Sequence, residues 1–311
     1  MNKLNLWLLS SLLVVCSILT SCHSNVGNEA KAKQEAKAKH VVFIGIDGWG
    51  AYSVPKAETP AIAKLMNDGS YTLEKRSVLP SSSAVNWASM FMGAAPEVHG
   101  YTDWGSRVPE LPSRIVNENG MFPTIFKLLR DARPDAEIGC MYEWKGIKFV
   151  VDTLALNYYA QAVDANEQPD QLCTMAEVYI KDKKPTLLAV CFDALDHVGH
   201  KEGHDTPQYY AKLSELDGYV ARIVQAVQEA GMLDETIFVL TSDHGGIGHG
   251  HGGKTMLEMQ SPFIITGKNV KSGLEFHESM VQYDVASTIA YVFGLEQPQV
   301  WVGRPMVQVF N

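Results

Sequence analysis

Cysteine is scarce in this chain. There are five in 311 residues, and no disulfide framework is visible among Cys16, Cys22, Cys140, Cys173 and Cys191. Cys140 and Cys191 lie in apolar, strand-like runs and read as small buried hydrophobes. Basic charge is also short. The net charge is -9, so a nucleic-acid-binding surface is not expected, because such surfaces work by neutralising phosphates. Long apolar runs are missing too. Leu4 to Leu19 is broken by polar residues and is short for a membrane-spanning helix. Internal repeats and linkers are absent. What remains is ordinary globular composition, 46% hydrophobic and 20% charged, with enough length for a large core.

The first segment stands apart from the rest. Lys3 is its only charged residue before the run ends at Leu19-Thr20-Ser21-Cys22. This resembles a bacterial lipoprotein signal peptide with its lipobox. The resemblance implies cleavage before Cys22, a lipid on Cys22, and a place in the bacterial cell envelope: outer membrane, periplasm or surface. A plain secretory signal or an anchor helix with a chance cysteine are the alternatives. Beyond Val26 no large apolar residue occurs up to residue 39, so this stretch reads as a solvated tether. The expected organisation is a signal peptide over 1–21, a tether over 22–38, and a single folded domain over 39–311.

Within that domain, apolar runs end in acids. His40 to Ile46 leads into Asp47, Thr186 to Cys191 into Phe192-Asp193, and Thr236 to Leu240 into Thr241-Ser242-Asp243. Continuous apolar runs of this length predict buried parallel strands. Glu137–Met141, Phe149–Val151 and Phe263–Ile265 are weaker strand candidates. Helical signals fall between the runs. Thr59-Pro60 opens a helix that Gly69 closes, and Thr206-Pro207 opens a long one ending at Gly231. Pro123–Ala132 and Asp284–Phe293 have helical spacing. Strands alternating with helices predict an α/β fold, a three-layer α/β/α sandwich with a mostly parallel central sheet. Residues 95–122 and 142–170 are poor in regular signals and read as loops over the site.

Ligands of such sheets bind beyond the carboxyl ends of the strands. Asp47, Asp196 with His200, and Asp243 with His244 all fall there. Asp196 and His200 are four apart, so one helical turn puts both on one side. Carboxylate and neutral imidazole suit zinc, ahead of manganese or iron, and like charges held this close need cations. A second feature is Ser81-Ser82-Ser83 ahead of the helical run Ala84–Met92. Serine at a helix N-terminus is an N-cap, and the same place suits a nucleophile, since helix dipoles attract phosphate there. The third is T-S-D-H-G-G-I-G-H-G-H-G-G over residues 241–253, whose six glycines remove the Cβ clashes of a sharply turning path.

Taken together, Asp47 after a strand, Ser83 three before Asn86, Asp196-His197-Val198-Gly199-His200 and Ser242-Asp243-His244-Gly245 resemble the alkaline phosphatase superfamily. The closest branch is type I phosphodiesterase/nucleotide pyrophosphatase, and the resemblance runs through Asp284–Ile289 and Gly303-Arg304-Pro305. It implies two divalent metal ions, zinc first. Asp47, Ser83, Asp243 and His244 would hold one ion; Asp196, His200 and a third histidine would hold the other. It also implies Ser83 as nucleophile and Asn86 as the contact to a non-bridging phosphate oxygen. The chain departs from the branch at Val85, Trp87 and Gly203-His204. A histidine followed by Gly252-Gly253 resembles the phosphoethanolamine-transferase branch, so His251 is taken as the third ligand, ahead of His249 and His277. The implied activity is hydrolysis of a small phosphodiester or pyrophosphate through a phosphoseryl intermediate. The alternatives are phosphomonoesterase, phosphonate hydrolase, phosphoethanolamine transferase, or an inactive lipoprotein that binds metal or glycan. Sulfatase chemistry is not expected, because no Cys or Ser stands in the C/S-x-P-x-R context that formylglycine formation needs.

Overall fold

The apolar runs that end in acids form the middle of one sheet. The computed structural model describes residues 35–162 and 168–311. The expected signal peptide, Cys22 and nearly all of the tether lie outside the described residues. The strands are β1 (His40–Ile46), β2 (Gly69–Arg76), β3 (Ile138–Tyr142), β4 (Tyr158–Gln161), β5 (Leu187–Phe192), β6 (Thr236–Thr241), β7 (Gln260–Gly267) and β8 (Leu274–Glu275). They form one eight-stranded sheet in the order β4-β3-β5-β1-β6-β7-β2-β8. Pairing is parallel except around β7, which runs antiparallel to both β6 and β2.

The helices are α1 (Pro60–Asn67), α2 (Ser83–Met92), α3 (Pro96–His99), α4 (Ile125–Ala132), α5 (Pro169–Lys183), α6 (Ala194–Glu202), α7 (Pro207–Glu229), α8 (Met256–Met259) and α9 (Asp284–Val292). They cover both faces of the sheet, and β1 shows why its run is continuously apolar. Val41 and Phe43 enter one core with residues of α2, α4 and α9. Val42, Ile44 and Ile46 point the other way, into a second core with residues of α1, α5 and α7. The three layers expected from the sequence are therefore present. The longest helix, α7, starts at Thr206, whose hydroxyl accepts the Tyr209 N–H at 3.3 Å, with Pro207 in the first turn. Its stripe Leu213, Leu216, Val220, Ile223 and Val227 is buried, each side chain contributing about 1.5–3 kcal/mol before conformational entropy is set against it.

Three expectations change. Phe149–Val151 is not a strand; a 3-10 helix spans Lys145–Phe149, and the edge of β3 is taken by β4 instead. The stretch read as loops over 142–170 holds β4 and the start of α5. The Lys37 N–H donates to Val292 O at 2.7 Å and Ala38 is buried, so the chain joins the fold ahead of residue 39.

Candidate metal centre and nucleophile

β5, β1 and β6 are neighbours in the sheet. Their carboxyl ends therefore bring Asp47, the Asp193–His200 segment and Asp243-His244 together from distant parts of the chain. Two histidine-bearing clusters result, and Asp47, Asp193 and Asp196 form a third, all-carboxylate group between them. In the first, atoms of Asp47, Asp243 and His244 lie within 4.8 Å of one another, all buried. His244 Nε2 is 3.4 Å from Asp47 Oδ1 and 3.2 Å from Asp243 Oδ2. In the second, Asp196, His200 and His251 meet the same limit. Asp196 Oδ2 is 3.1 Å from His200 Nε2 and 3.8 Å from His251 Nε2. The rings of His244 and His251 stack with centroids 3.8 Å apart, so the clusters adjoin.

The hydrogen bonds around these groups fix what belongs between them. His244 Nδ1 lies 2.8 Å from Gly245 O, His200 Nδ1 2.9 Å from His249 O, and His251 Nδ1 3.1 Å from Ser81 O. A carbonyl only accepts, so each Nδ1 carries the proton and each Nε2 offers a lone pair. Yet His200 Nε2 and His251 Nε2 face each other at 3.2 Å. Asp47 Oδ1 and Asp243 Oδ2 are buried with no donor. At the first cluster these acceptors are buried and need a positive charge among them; at the second, His200 is exposed and the facing acceptors still favour one. Carboxylate oxygen plus imidazole nitrogen is a donor set for zinc-like divalent ions, and the residues present fit that group.

Without such a charge, the titrations are driven far from their ordinary values. Burial first, and Asp243 next, push the Asp47 carboxyl well up. Burial and Asp196 push Asp243 up to about 7. Burial holds His244 down to about 4, and burial with the neighbouring His244 does the same to His251, keeping both in the neutral form that ligates. His200 goes the other way, up to about 9, through its hydrogen bond to Asp196. A proton there does what a cation would do.

Ser83 is the first residue of α2, and its Oγ lies 3.2 Å from His244 Nε2, beside the first cluster. The two other hydroxyls do different work. Ser81 Oγ donates to Gly253 O at 2.6 Å, tying the turn to the glycine-rich loop. Ser82 is the N-cap residue but its hydroxyl makes no cap bond. Asn86 is bound into the turn ahead of α2. Its Oδ1 accepts the Val78 N–H at 2.8 Å, and its Nδ2 donates to Pro80 O and Ser82 O at 3.0 Å and faces Val78 O at 3.3 Å. Fully buried, the amide holds the turn that presents Ser83. His277 sits on the surface beside Glu74, away from both clusters, and His249 places its Nδ1 on His200 O. Among the three candidates it is His251 that joins Asp196 and His200.

Several residues at the site escaped the sequence reading. Trp87 reads as packing, yet its Nε1–H donates to Asp47 Oδ2 at 2.9 Å. The indole reaches β1 because Gly45 has no Cβ; one would stand 2.3 Å from the ring. Lys75 is fully buried on β2, and its amine donates to Ser242 O at 2.7 Å and to Gln282 Oε1. Burial lowers it to about 7. With Ser77 Oγ and Gln282 Nε2 donating to Asp243 O at 2.7 and 3.0 Å, it braces the metal-ligand turn from behind. Glu143 Oε2 accepts the N–H groups of Asp193 and Ala194 at 2.6 and 3.1 Å, anchoring the start of α6. No sequence signal marks Lys75, because it lies three residues after Thr72 and only the register shift between them brings it inside.

Comparison with known proteins supplies a second line. Residues 41–261 match the family model described as type I phosphodiesterase / nucleotide pyrophosphatase. Over 121 residues the chain is 31% identical to GPI ethanolamine phosphate transferase 2 of Aspergillus fumigatus, covering 34% of this chain and 16% of that protein. Over 129 residues it is 34% identical to the catalytic subunit of GPI ethanolamine phosphate transferase 2 of Homo sapiens, covering 40% of this chain and 13% of that protein. The match thus spans a small part of these relatives' length. Murine ectonucleotide pyrophosphatase / phosphodiesterase 5, solved as an inactive variant in complex with AMP, has the same fold. Its TM-score is 0.70 at 15% identity, over 87% of this chain and 98% of that chain. The 2-O GAG sulfatase BT1596 gives 0.68 at 15% identity, over 88% and 74%.

Proposed function

The chain belongs to the type I phosphodiesterase / nucleotide pyrophosphatase family, and from that premise we propose that it is a two-metal phosphohydrolase of phosphodiester or pyrophosphate bonds. The observation that carries this reading is Ser83 Oγ, 3.2 Å from His244 Nε2 at the first turn of α2. A hydroxyl in that place is positioned as a nucleophile against a phosphate drawn to the helix dipole. Asp47, Ser83, Asp243 and His244 would hold one divalent ion, and Asp196, His200 and His251 the other. Bound there, the ions supply Lewis-acid charge that lowers the Ser83 pKa, stabilises the leaving oxygen and activates water.

The chain's own residues do the rest. Ser83 Oγ loses its proton to water and attacks phosphorus in line. The bond from phosphorus to the leaving oxygen breaks, and that oxygen takes a proton from solvent. Water then attacks the phosphoserine from the opposite side, the Ser83 Oγ–P bond breaks, and Ser83 recovers its proton. Asn86 keeps the turn in place, and Trp87 aims the Asp47 carboxylate. A second reading, phosphoethanolamine transfer, is favoured by the transferases among the relatives and by His251 arriving from the glycine-rich loop. It differs only in that an acceptor alcohol replaces water in the second half. The same proposal puts the mature chain on the cell envelope through a lipid on Cys22.

The test is Ser83→Ala with bis-p-nitrophenyl phosphate as substrate. The variant should keep its fold and metal content and lose at least about a thousandfold in rate. Wild-type protein quenched during turnover should carry phosphate on Ser83 by mass spectrometry, and exhaustive chelation should abolish its activity. Near-native turnover by Ser83→Ala overturns the covalent route. Full activity after chelation overturns the metal-centre reading.

A further inference from the structure

Gly203-His204 is where the sequence departs from the branch it resembles, and the structure gives His204 a place no surface histidine has. The residue is buried, and its side chain has no exposure to solvent. Its ring fills a slot between α6 and the glycine-rich loop. A Cβ on Gly199 of α6 would stand 2.4 Å from Nε2, and one on Gly246 of the loop 2.2 Å from it. Tyr209 closes the slot, its ring centroid 5.5 Å away. The backbone N–H of His204 donates to Gly248 O at 2.7 Å, and Nδ1 lies 3.1 Å from the same oxygen. Nε2 is 3.5 Å from Asp196 Oδ1, in contact but without a hydrogen bond.

These contacts join two elements that carry ligands separately. Asp196 and His200 stand on α6, and His244 and His251 on the loop. The ring of His204 touches glycines on both, and its backbone clasps the loop at Gly248. Asp196 is divided by it: Oδ1 faces His204, while Oδ2 faces His200 and His251. A carboxylate free to rotate would present either oxygen to the cluster. Packed against the ring on its Oδ1 side, it presents Oδ2.

The geometry points to His204 as a positioning residue of the second metal-ligand cluster. It sets the register between helix and loop and fixes which Asp196 oxygen faces the ion. The inference rests on the metal-centre reading above. It also accounts for two otherwise unexplained glycines, since any side chain at 199 or 246 would displace the ring.

The test titrates metal-free protein with Co2+, followed by calorimetry and visible absorption. Wild type should take up two ions. His204→Ala should bind one as wild type does and the other about 10–100-fold more weakly, the range for partners that orient metal ligands. His204→Phe, which refills the slot between Gly199 and Gly246, should recover part of the loss. Gly246→Ala should reproduce the weakening with His204 still present, and serves where His204→Ala fails to fold, which metal-free melting curves reveal. Wild-type affinity for both ions in His204→Ala overturns the proposal and leaves the metal centre standing. A wild-type protein that takes up no cobalt overturns both.

Discussion

Replacing Asn86 with alanine separates two roles that one residue cannot share. The family resemblance gives its amide a phosphate oxygen, whereas in the structure that amide is spent on the backbone of residues 78–82. Alanine would leave the Val78 N–H without its acceptor and at least one buried carbonyl without a donor. An unsatisfied buried group costs about 1–3 kcal/mol, so the two together cost about 2–6 kcal/mol. For a domain of this size each kcal/mol moves the melting temperature by about 2–4 °C, and a fall on the order of 10 °C is expected. The assay is thermal unfolding of the metal-free protein by circular dichroism, which keeps ion binding out of the comparison. Turnover should drop as well, because the loosened turn no longer holds Ser83. An Asn86→Ala protein that melts with the wild type yet has lost catalysis would refute the reasoning and return the amide to the substrate.

Two further outcomes are expected. His99 accepts the Tyr101 N–H on Nδ1 at 3.1 Å and pairs through Nε2 with Ser89 Oγ, whose own proton goes to Val85 O, so it is held neutral, and burial lowers its pKa to about 3. Between that value and the unfolded value near 6.5 only the unfolded chain takes up the proton, so stability is lost as pH falls through this window, by about 1.4 kcal/mol per unit. His99→Gln should flatten this acid limb in pH-dependent melting; an unchanged limb counts against it. Cys22→Ser should release the protein from membranes or stall its processing, read by fractionation and mass spectrometry of the N-terminus; a wild-type N-terminus elsewhere, without lipid, removes the anchor.

The parts of the fold that a sequence shows are those whose burial is apolar. β1, β5 and β6 are buried on both faces, so their runs are continuous and their ends visible. β2 hides because its inward residues Ser70, Thr72 and Lys75 are polar and its register shifts between Thr72 and Lys75. α5 carries a readable stripe, Leu172, Cys173, Ala176, Tyr179 and Ile180, which went unread beside a stretch poor in signals. At the site, ligand chemistry is a property of residue type, so Asp47, Asp196, His200, Asp243, His244 and His251 stood out. The work of Asn86 is not, since it depends on which carbonyls a folded turn aims at it. Nor is that of His204, which depends on gaps left by glycines in two other elements.

The placing of β1 has a consequence for how the protein is made. Val41 pairs with Leu187 on one side, and with Ile237 on the other. The first strand among the described residues is thus a central one, and it stays unpaired on either edge until the chain has grown past β5 and then β6. No early fragment can close the sheet, and a chain cut before residue 241 would carry an open, apolar strand edge of the kind that seeks partners in other molecules. The acids arrive on the same schedule. Asp47 meets Asp196 when β5 docks and Asp243 only when β6 does, so the full repulsion among them falls on the completing step of assembly. A divalent ion present at that moment would act as a latch on a nearly finished fold.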